Sequence, residues 1–184
     1  YGISTNSGVR TNLVIGNYIG LNPAGNAALG NGNGINISGT NNTIGGVNAG
    51  EGNVISGNAR SGIVISGSGS GNSVRGNLVG TNAVGTGPVS NQWFGLQIHG
   101  NNNTIGGTTA GARNVISGNG FNTGRSGIGF FSTASGNLVQ GNLIGTDING
   151  TGALGNAAEG IFLGGTSDSA VPANNVIGGV AAGA

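Results

Sequence analysis

The sequence predicts an all-β protein in which short strands wind into a parallel β-helix, a solenoid built from stacked coils. Glycine followed by alternating apolar residues recurs about every 30 residues, and asparagine recurs at fixed places in each unit. The 184 residues include 44 glycines and no cysteine, and only 5% of them are charged. Units this small cannot bury an apolar face alone, so they gain stability by stacking on one another.

The composition excludes other glycine-rich classes. Glycine has no period of three and there are only 3 prolines, which excludes a collagen helix. Isoleucine, valine and leucine recur at regular places, and disordered segments lack such residues. No apolar run reaches the ~20 residues of a membrane span. The net charge of +1 gives no reason to expect a nucleic-acid partner, so we expect neither nucleic-acid binding nor membrane insertion.

The first strand of each unit follows a glycine, as in Gly34-Ile35-Asn36-Ile37. The alternation places both isoleucines on one face of the strand. Successive glycines lie 32, 28, 33, 32 and 33 residues apart, which predicts about six coils of ~30 residues. These strands begin after Gly2, Gly34, Gly62, Gly95, Gly127 and Gly160.

The second strand of each unit starts at an asparagine that is followed, two residues later, by an apolar residue. A third strand carries Ile19, Ile55, Val79, Ile116 or Ile144. Each unit therefore holds three short strands, none long enough to be stable alone. The asparagines that start the second strands are Asn12, Asn42, Asn72, Asn103, Asn137 and Asn175.

Two kinds of unit alternate along the chain. In one kind the second and third strands nearly adjoin and a long segment follows them, as at 82–90. In the other kind the long segment comes earlier, at 45–53 and at 106–114. We therefore expect two alternating coil types within a single domain that covers residues 1–184.

Asparagine forms a second column in this arrangement. Its members mostly lie a few residues before the glycine of a first strand. Stacked amide side chains form hydrogen-bonded ladders along the axis, and asparagine tolerates left-handed backbone. We predict structural ladders for both columns, with a glycan or ligand role as the alternative. The second column comprises Asn31, Asn58, Asn91, Asn119 and Asn156.

Several phrases resemble the repeats of a known family. The segments "NTIGGTTAGARNVISGN" at 103–119 and "GNLIGTDINGTGALGN" at 141–156 are similar to repeats of bacterial right-handed parallel β-helix proteins with the pectate-lyase-like architecture. The resemblance covers essentially the whole chain. It implies a right-handed coil and a secreted or cell-surface location, and it implies little about activity.

Residues for catalysis are scarce. There is no lysine, and the four acidic residues fall in different loops, whereas paired carboxylates of glycosidases lie within about 5–10 Å. His99 is the only histidine, we expect it to point outward, and a lone histidine is not a metal site. We expect Asp147 to cap a turn. We therefore expect no enzyme activity, no metal and no cofactor. The acids are Glu51, Asp147, Glu159 and Asp168.

Aromatic residues provide the one candidate contact patch. Trp93 and Phe94 interrupt a run of small residues, and Phe121 lies at an equivalent place one coil later, near Arg125. An exposed aromatic cluster is typical of a sugar-binding or protein-binding surface. The alternative is a local apolar cover over a loop.

The ends of the sequence bear on function. It opens directly before a first strand and stops inside a loop. Open strand edges pair with further strands. We therefore expect either a piece of a longer array or a subunit that associates end to end. The hypothesis is a structural, extracellular or cell-surface β-solenoid that forms a rod, spacer or filament. The alternative is a carbohydrate-binding or polysaccharide-processing module.

Overall fold

The computed structural model describes residues 1–164 and 170–179, and within them it is all β apart from one 3-10 turn at Ala110–Ala112. This confirms the predicted parallel β-helix with three strands per coil. The strands are β1 (Ile3–Thr5), β2 (Leu13–Val14), β3 (Tyr18–Ile19), β4 (Ile35–Ile37), β5 (Thr43–Ile44), β6 (Val54–Ile55), β7 (Ile63–Ile65), β8 (Ser73–Val74), β9 (Leu78–Val79), β10 (Leu96–Ile98), β11 (Thr104–Gly106), β12 (Val115–Ile116), β13 (Ile128–Phe130), β14 (Leu138–Gln140), β15 (Leu143–Ile144), β16 (Ile161–Leu163) and β17 (Val176–Ile177).

Every third strand belongs to the same parallel sheet. The first sheet has the order β1-β4-β7-β10-β13-β16, the second β2-β5-β8-β11-β14-β17 and the third β3-β6-β9-β12-β15. Equivalent residues pair in register, so Ile35 lies beside Ile63 and Ile63 beside Leu96. The described residues therefore form five complete coils and part of a sixth, in agreement with the expected coil count.

The core is a narrow column of side chains that point inward from all three sheets. Ile63 from the first sheet, Ile105 from the second and Ile116 from the third are all 0% exposed. Phe130 takes the place of an isoleucine in this column and is also fully buried. Burial of each such side chain contributes about 1.5–3 kcal/mol, which makes the column the main stabilising feature of the coil stack.

The two predicted coil types have a steric cause. The long segment after β3 folds back on itself, with Leu21 paired antiparallel to Ala28. The equivalent loop two coils later reaches it directly, since the Ala83 amide donates to the Gly25 carbonyl at 2.8 Å. Each loop thus fills the height of two coils. The coil between them must make a short connection at this place, so the long connections alternate.

Candidate functional site

The first predicted asparagine column is a continuous ladder. The backbone N–H and the side-chain amide of Asn72 both donate to Oδ1 of Asn103, at 2.9 and 3.0 Å. The Asn72 side chain also donates backwards to the Gly39 carbonyl at 3.1 Å. The same pattern confirms all six predicted members, which are Asn12, Asn42, Asn72, Asn103, Asn137 and Asn175.

The second predicted column is also a ladder. The amide side chain of Asn58 donates to Oδ1 of Asn91 at 2.8 Å, and Asn91 donates in turn to Asn119 at 3.0 Å. The three central members are 0% exposed, so the coil stack excludes water from these bonds. The predicted members Asn31, Asn58, Asn91, Asn119 and Asn156 all take part.

A third ladder, which sequence analysis missed, precedes the third strands. Asn77 donates from its backbone and from its side chain to Oδ1 of Asn114, both at 3.0 Å. Neighbouring members lie 36, 24, 37 and 28 residues apart, because the long loops fall on alternate sides of them. Because of this irregular spacing the column is not evident in the sequence, although every member directly precedes a third strand. The members are Asn17, Asn53, Asn77, Asn114 and Asn142.

One expected role of the ladder asparagines is wrong. Within the described residues, left-handed backbone occurs one residue before members of the first ladder, at Asn41 (φ 54°) and Asn102 (φ 55°). The ladder residues themselves are not left-handed. An exposed residue therefore makes the turn, and the buried asparagine after it has an ordinary backbone and makes the bonds between coils.

The predicted contact patch divides into separate environments. Trp93 is 38% exposed, and the Arg60 guanidinium lies 5.3 Å above its ring. Phe94 is only 5% exposed and lies beneath Arg125, whose guanidinium is 5.6 Å from its ring centre. Phe121 is 76% exposed. Phe94 therefore covers the sheet, and Trp93 and Phe121 are the aromatic residues of the patch that reach solvent.

An aromatic strip, defined here as Phe94, His99, Phe131 and Phe162, runs across successive coils on the outer face of the first sheet. The ring of Phe131 meets Phe94 edge to face at 5.1 Å and lies 5.9 Å from Phe162. Gly129 makes room for the rings, since a Cβ there would lie 2.6 Å from Phe131 and 2.9 Å from Phe94. Such ring pairs add to the stability gained by burial.

His99 is half-buried, whereas we expected an exposed residue without a special role. Its ring stacks on Phe131 with centroids 5.4 Å apart. Ser61 donates to Oε1 of Gln97 at 3.1 Å, so the Gln97 amide donates to Nε2 of His99 at 3.0 Å. Nδ1–H is then the donor to Ser132 Oγ at 3.3 Å. Burial lowers the pKa of His99 below its ordinary value, which favours this neutral form.

Asp147 caps a turn, as predicted. Its Oδ1 accepts the backbone N–H groups of Thr151 at 3.0 Å and of Asn149 at 3.1 Å. Backbone donors, that of Gly152 foremost, hold the pKa of this carboxyl below its ordinary value. The carboxylate therefore stabilises its own loop.

The other acidic residues described also accept hydrogen bonds from the protein. Glu51 accepts the backbone N–H groups of Val47 and Asn48, each at 3.0 Å, and the Asn48 side chain is the main cause of its lowered pKa. The hydroxyl of Ser126 donates to Glu159 at 2.7 Å, which lowers the pKa of that carboxyl. Asp168 lies outside the described residues.

Residues 1–164 and 170–179 carry neither a cluster of metal ligands nor a helix suited to a membrane. In these ranges no three histidine, cysteine, aspartate or glutamate side chains come together as metal ligands would. The same ranges contain no helix with the length and apolar character needed to cross a membrane.

A groove of about 690 Å³ runs over the outer face of the third sheet, and sequence analysis did not identify it. Its floor consists of Tyr18, Val54, Leu78 and Val115, which are paired neighbours in register. The two families of long loops form its walls. These floor residues are the outward-facing members of two-residue strands, too short for a sequence pattern to show that they share a face.

Searches with models of known protein families, among curated proteins and among solved structures find no match to this chain. The parallel β-solenoid is therefore established by the geometry of the chain itself, and the function is inferred from its surfaces and edges.

Proposed function

We propose that this chain is a structural β-solenoid that forms a stiff rod or spacer outside the cell or on its surface and adds copies end to end. The observation that supports this proposal best is the set of three in-register asparagine ladders, of which the first reaches from the first described coil into the partial sixth and the other two reach from the first coil to the end of the fifth. The low charge and the resemblance to secreted β-helix repeats favour the extracellular location. Among residues 1–164 and 170–179, the acids and the lone histidine form no catalytic arrangement, and on this basis we infer that the chain is not an enzyme.

The ladders give the stack a direction. Each asparagine donates to Oδ1 of the next coil, as from Asn42 to Asn72 at 2.9 and 3.1 Å. Oδ1 of Asn12 in the first coil therefore faces outward as an acceptor, and the backbone N–H of Asn175 faces outward as a donor. Neither group has a partner among the described residues. A second copy satisfies both when its first coil stacks on the last coil of its neighbour.

The apolar columns also continue to both edges. In the second sheet, the inward column starts at Val14 and ends at Ile177, which is 48% exposed because no described coil covers it. In a head-to-tail stack, Val14 of one copy packs on Ile177 of the next. This contact removes apolar surface from water at both edges, which favours association.

Two charge substitutions test the proposal. We expect Ile177→Lys and Val14→Glu each to remain monomeric in sedimentation velocity, since a buried unpaired charge is costly. We expect an equal mixture to associate again, because each variant keeps one intact edge and the altered edges are complementary. Val176→Lys is the matched control, as this neighbour faces outward and is 53% exposed. We expect it to associate like the unaltered protein.

The outcomes separate the models. If Ile177→Lys alone forms dimers, the intact edges pair head to head, which contradicts parallel stacking. If the unaltered protein stays monomeric at all concentrations, the end-to-end part of the proposal is wrong. Circular dichroism of each variant must match that of the unaltered protein for the comparison to hold.

Carbohydrate binding is the second candidate function, favoured by the exposed Trp93 ring with Arg60 above it. Exposed indole rings stack on sugar faces, and a guanidinium nearby adds a hydrogen-bond donor. Retention on an immobilised polysaccharide that is lost in Trp93→Ala and kept in Phe121→Ala would support this function. Elution of the unaltered protein without retardation from neutral and acidic polysaccharides would contradict it.

A further inference from the structure

The chain contains four Asn-Gly pairs, a sequence in which the backbone nitrogen after asparagine readily attacks the side-chain amide because glycine has no Cβ in the way. Such pairs deamidate spontaneously in water when the asparagine is free to move. The structure places the four pairs in different environments. They are Asn31-Gly32, Asn33-Gly34, Asn119-Gly120 and Asn149-Gly150.

Three of these asparagines are held by bonds between coils. Asn119 is 0% exposed, and its side chain donates to the Val79 carbonyl at 3.0 Å and to Asn156 at 3.1 Å. Asn31 donates to Asn58 at 3.3 Å. Oδ1 of Asn33 accepts the Ser61 amide at 3.0 Å. A side chain held in this way cannot turn toward the following backbone nitrogen unless the coils separate.

Asn149 is different. It lies exposed at the tip of the loop at 147–153. Its backbone N–H donates to Asp147, whereas its side-chain amide has no hydrogen-bond partner among the described residues. The N–H of Gly150 donates to the Asp147 carbonyl at 3.0 Å in this exposed turn. That bond has to open before Gly150 approaches the amide, and exposed loop bonds open readily.

We infer that Asn149 is a site of spontaneous deamidation in the folded protein. The backbone nitrogen of Gly150 forms a bond to Cγ of Asn149 and gives up its proton to solvent. Nδ2 takes up a proton from solvent, the bond from Cγ to Nδ2 breaks and ammonia leaves, which produces a succinimide ring. Water then adds to one of the two ring carbonyls and the bond from that carbon to the Gly150 nitrogen breaks, which gives aspartate when water adds at Cγ and isoaspartate when it adds at the backbone carbonyl. No oxidant or reductant takes part, and the inference does not depend on the proposed function.

The product changes the loop chemically. A new carboxylate stands near that of Asp147, and isoaspartate adds a carbon to the backbone inside the turn that Asp147 caps. This loop is joined to the loop at 82–88 through the Ile148 amide, which donates to the Gly85 carbonyl at 2.9 Å. We therefore expect the modification to loosen the loop locally without altering the ladders.

Peptide mapping by mass spectrometry during incubation at neutral to mildly alkaline pH tests the inference. We expect deamidation at Asn149 at least about tenfold faster than at Asn119, since Asn119 reacts only after the coils open. In urea, where the coils are unfolded, we expect all four sites to react at similar rates. Asn149→Gln should abolish the acidic species that accumulates first.

Two results would overturn the inference. One is that Asn149 of the folded protein stays unmodified over a time in which the urea-unfolded chain loses most of its Asn-Gly amides. The other is equal reaction at Asn149 and Asn119 in the folded protein. Methyl transfer by an isoaspartyl methyltransferase, restricted to the peptide that contains residue 149, provides an independent readout of the isoaspartate product.

Discussion

At the scale of single residues, Asn103 shows how an uncharged polar side chain is stabilised inside a solenoid. Its Oδ1 accepts two N–H groups of Asn72, and its amide donates to the Gly69 carbonyl and to Asn137. The side chain is 0% exposed. Each bond contributes modestly, but loss of the partner leaves several buried groups unsatisfied.

Replacing Asn103 by alanine should therefore lower the free energy of unfolding by about 3 kcal/mol or more, because Asn72 loses the acceptor of two N–H groups and Oδ1 of Asn137 loses one of its two donors in a dry interior. The matched control is Asn12→Ala at the exposed start of the same ladder, where water replaces the lost bonds. Urea unfolding followed by circular dichroism compares the two. Similar midpoints for both variants would show that the ladder does not stabilise the stack.

His99 gives a pH prediction. Burial lowers the pKa of the folded residue below the ordinary value of 6.5, so the unfolded chain binds more protons between the two values. Its contribution to stability is complete above about 6.5 and is lost as pH falls through the folded pKa. Protonation also places a donor against the Gln97 amide.

We therefore expect thermal stability to fall between roughly pH 6.5 and the lower pKa of the folded histidine. We expect His99→Gln to remove this dependence, as the chain has 1 histidine. Titration of the ring by NMR measures the pKa directly. A folded pKa at or above the ordinary value would contradict the burial and the hydrogen-bond pattern described here.

At the scale of elements, the long loops of the two neighbouring coils enclose the short connection of the coil between them. Gly76 lies between the loops at 45–53 and 106–114, and its φ of +69° suits glycine. A Cβ there would overlap the Gly46 carbonyl oxygen and lie 2.9 Å from that of Gly111. The alternation of coil types therefore depends on glycine where a connection is enclosed.

Gly76→Ala should lower the free energy of unfolding by about 2 kcal/mol or more, through left-handed strain and overlap with the backbone. Gly67→Ala is the control, because a Cβ there meets no atom within 4 Å and its φ is not positive. Differential scanning calorimetry measures both. Equal melting temperatures would mean that the loops move apart at little cost to accept the Cβ and do not enclose the connection tightly.

The strands and two of the ladders were predictable because equivalent residues recur in the sequence at intervals of about 30 residues. The third ladder and the groove were not, since variable loops change the spacing between equivalent residues. The aromatic strip was missed for a related reason. Phe94 and Phe131 come together only when coils stack, and Gly129 between them gives no sequence signal of the space it leaves.

At the scale of the whole molecule, the three sheets and three ladders of the described residues share one axis and one direction. Each coil is held to its neighbours by backbone bonds on every side and by an apolar column in the centre. The lateral surface carries few charges. The proposed function depends on the edges of the first and last described coils, where the ladders and the apolar columns have no further coil among the described residues.

Electron microscopy of the purified protein at rising concentration tests this central claim most directly. The proposal predicts unbranched rods with an axial repeat of about six inter-strand spacings, roughly 30 Å, and a length that grows with concentration. Uniform short particles at every concentration would contradict end-to-end association.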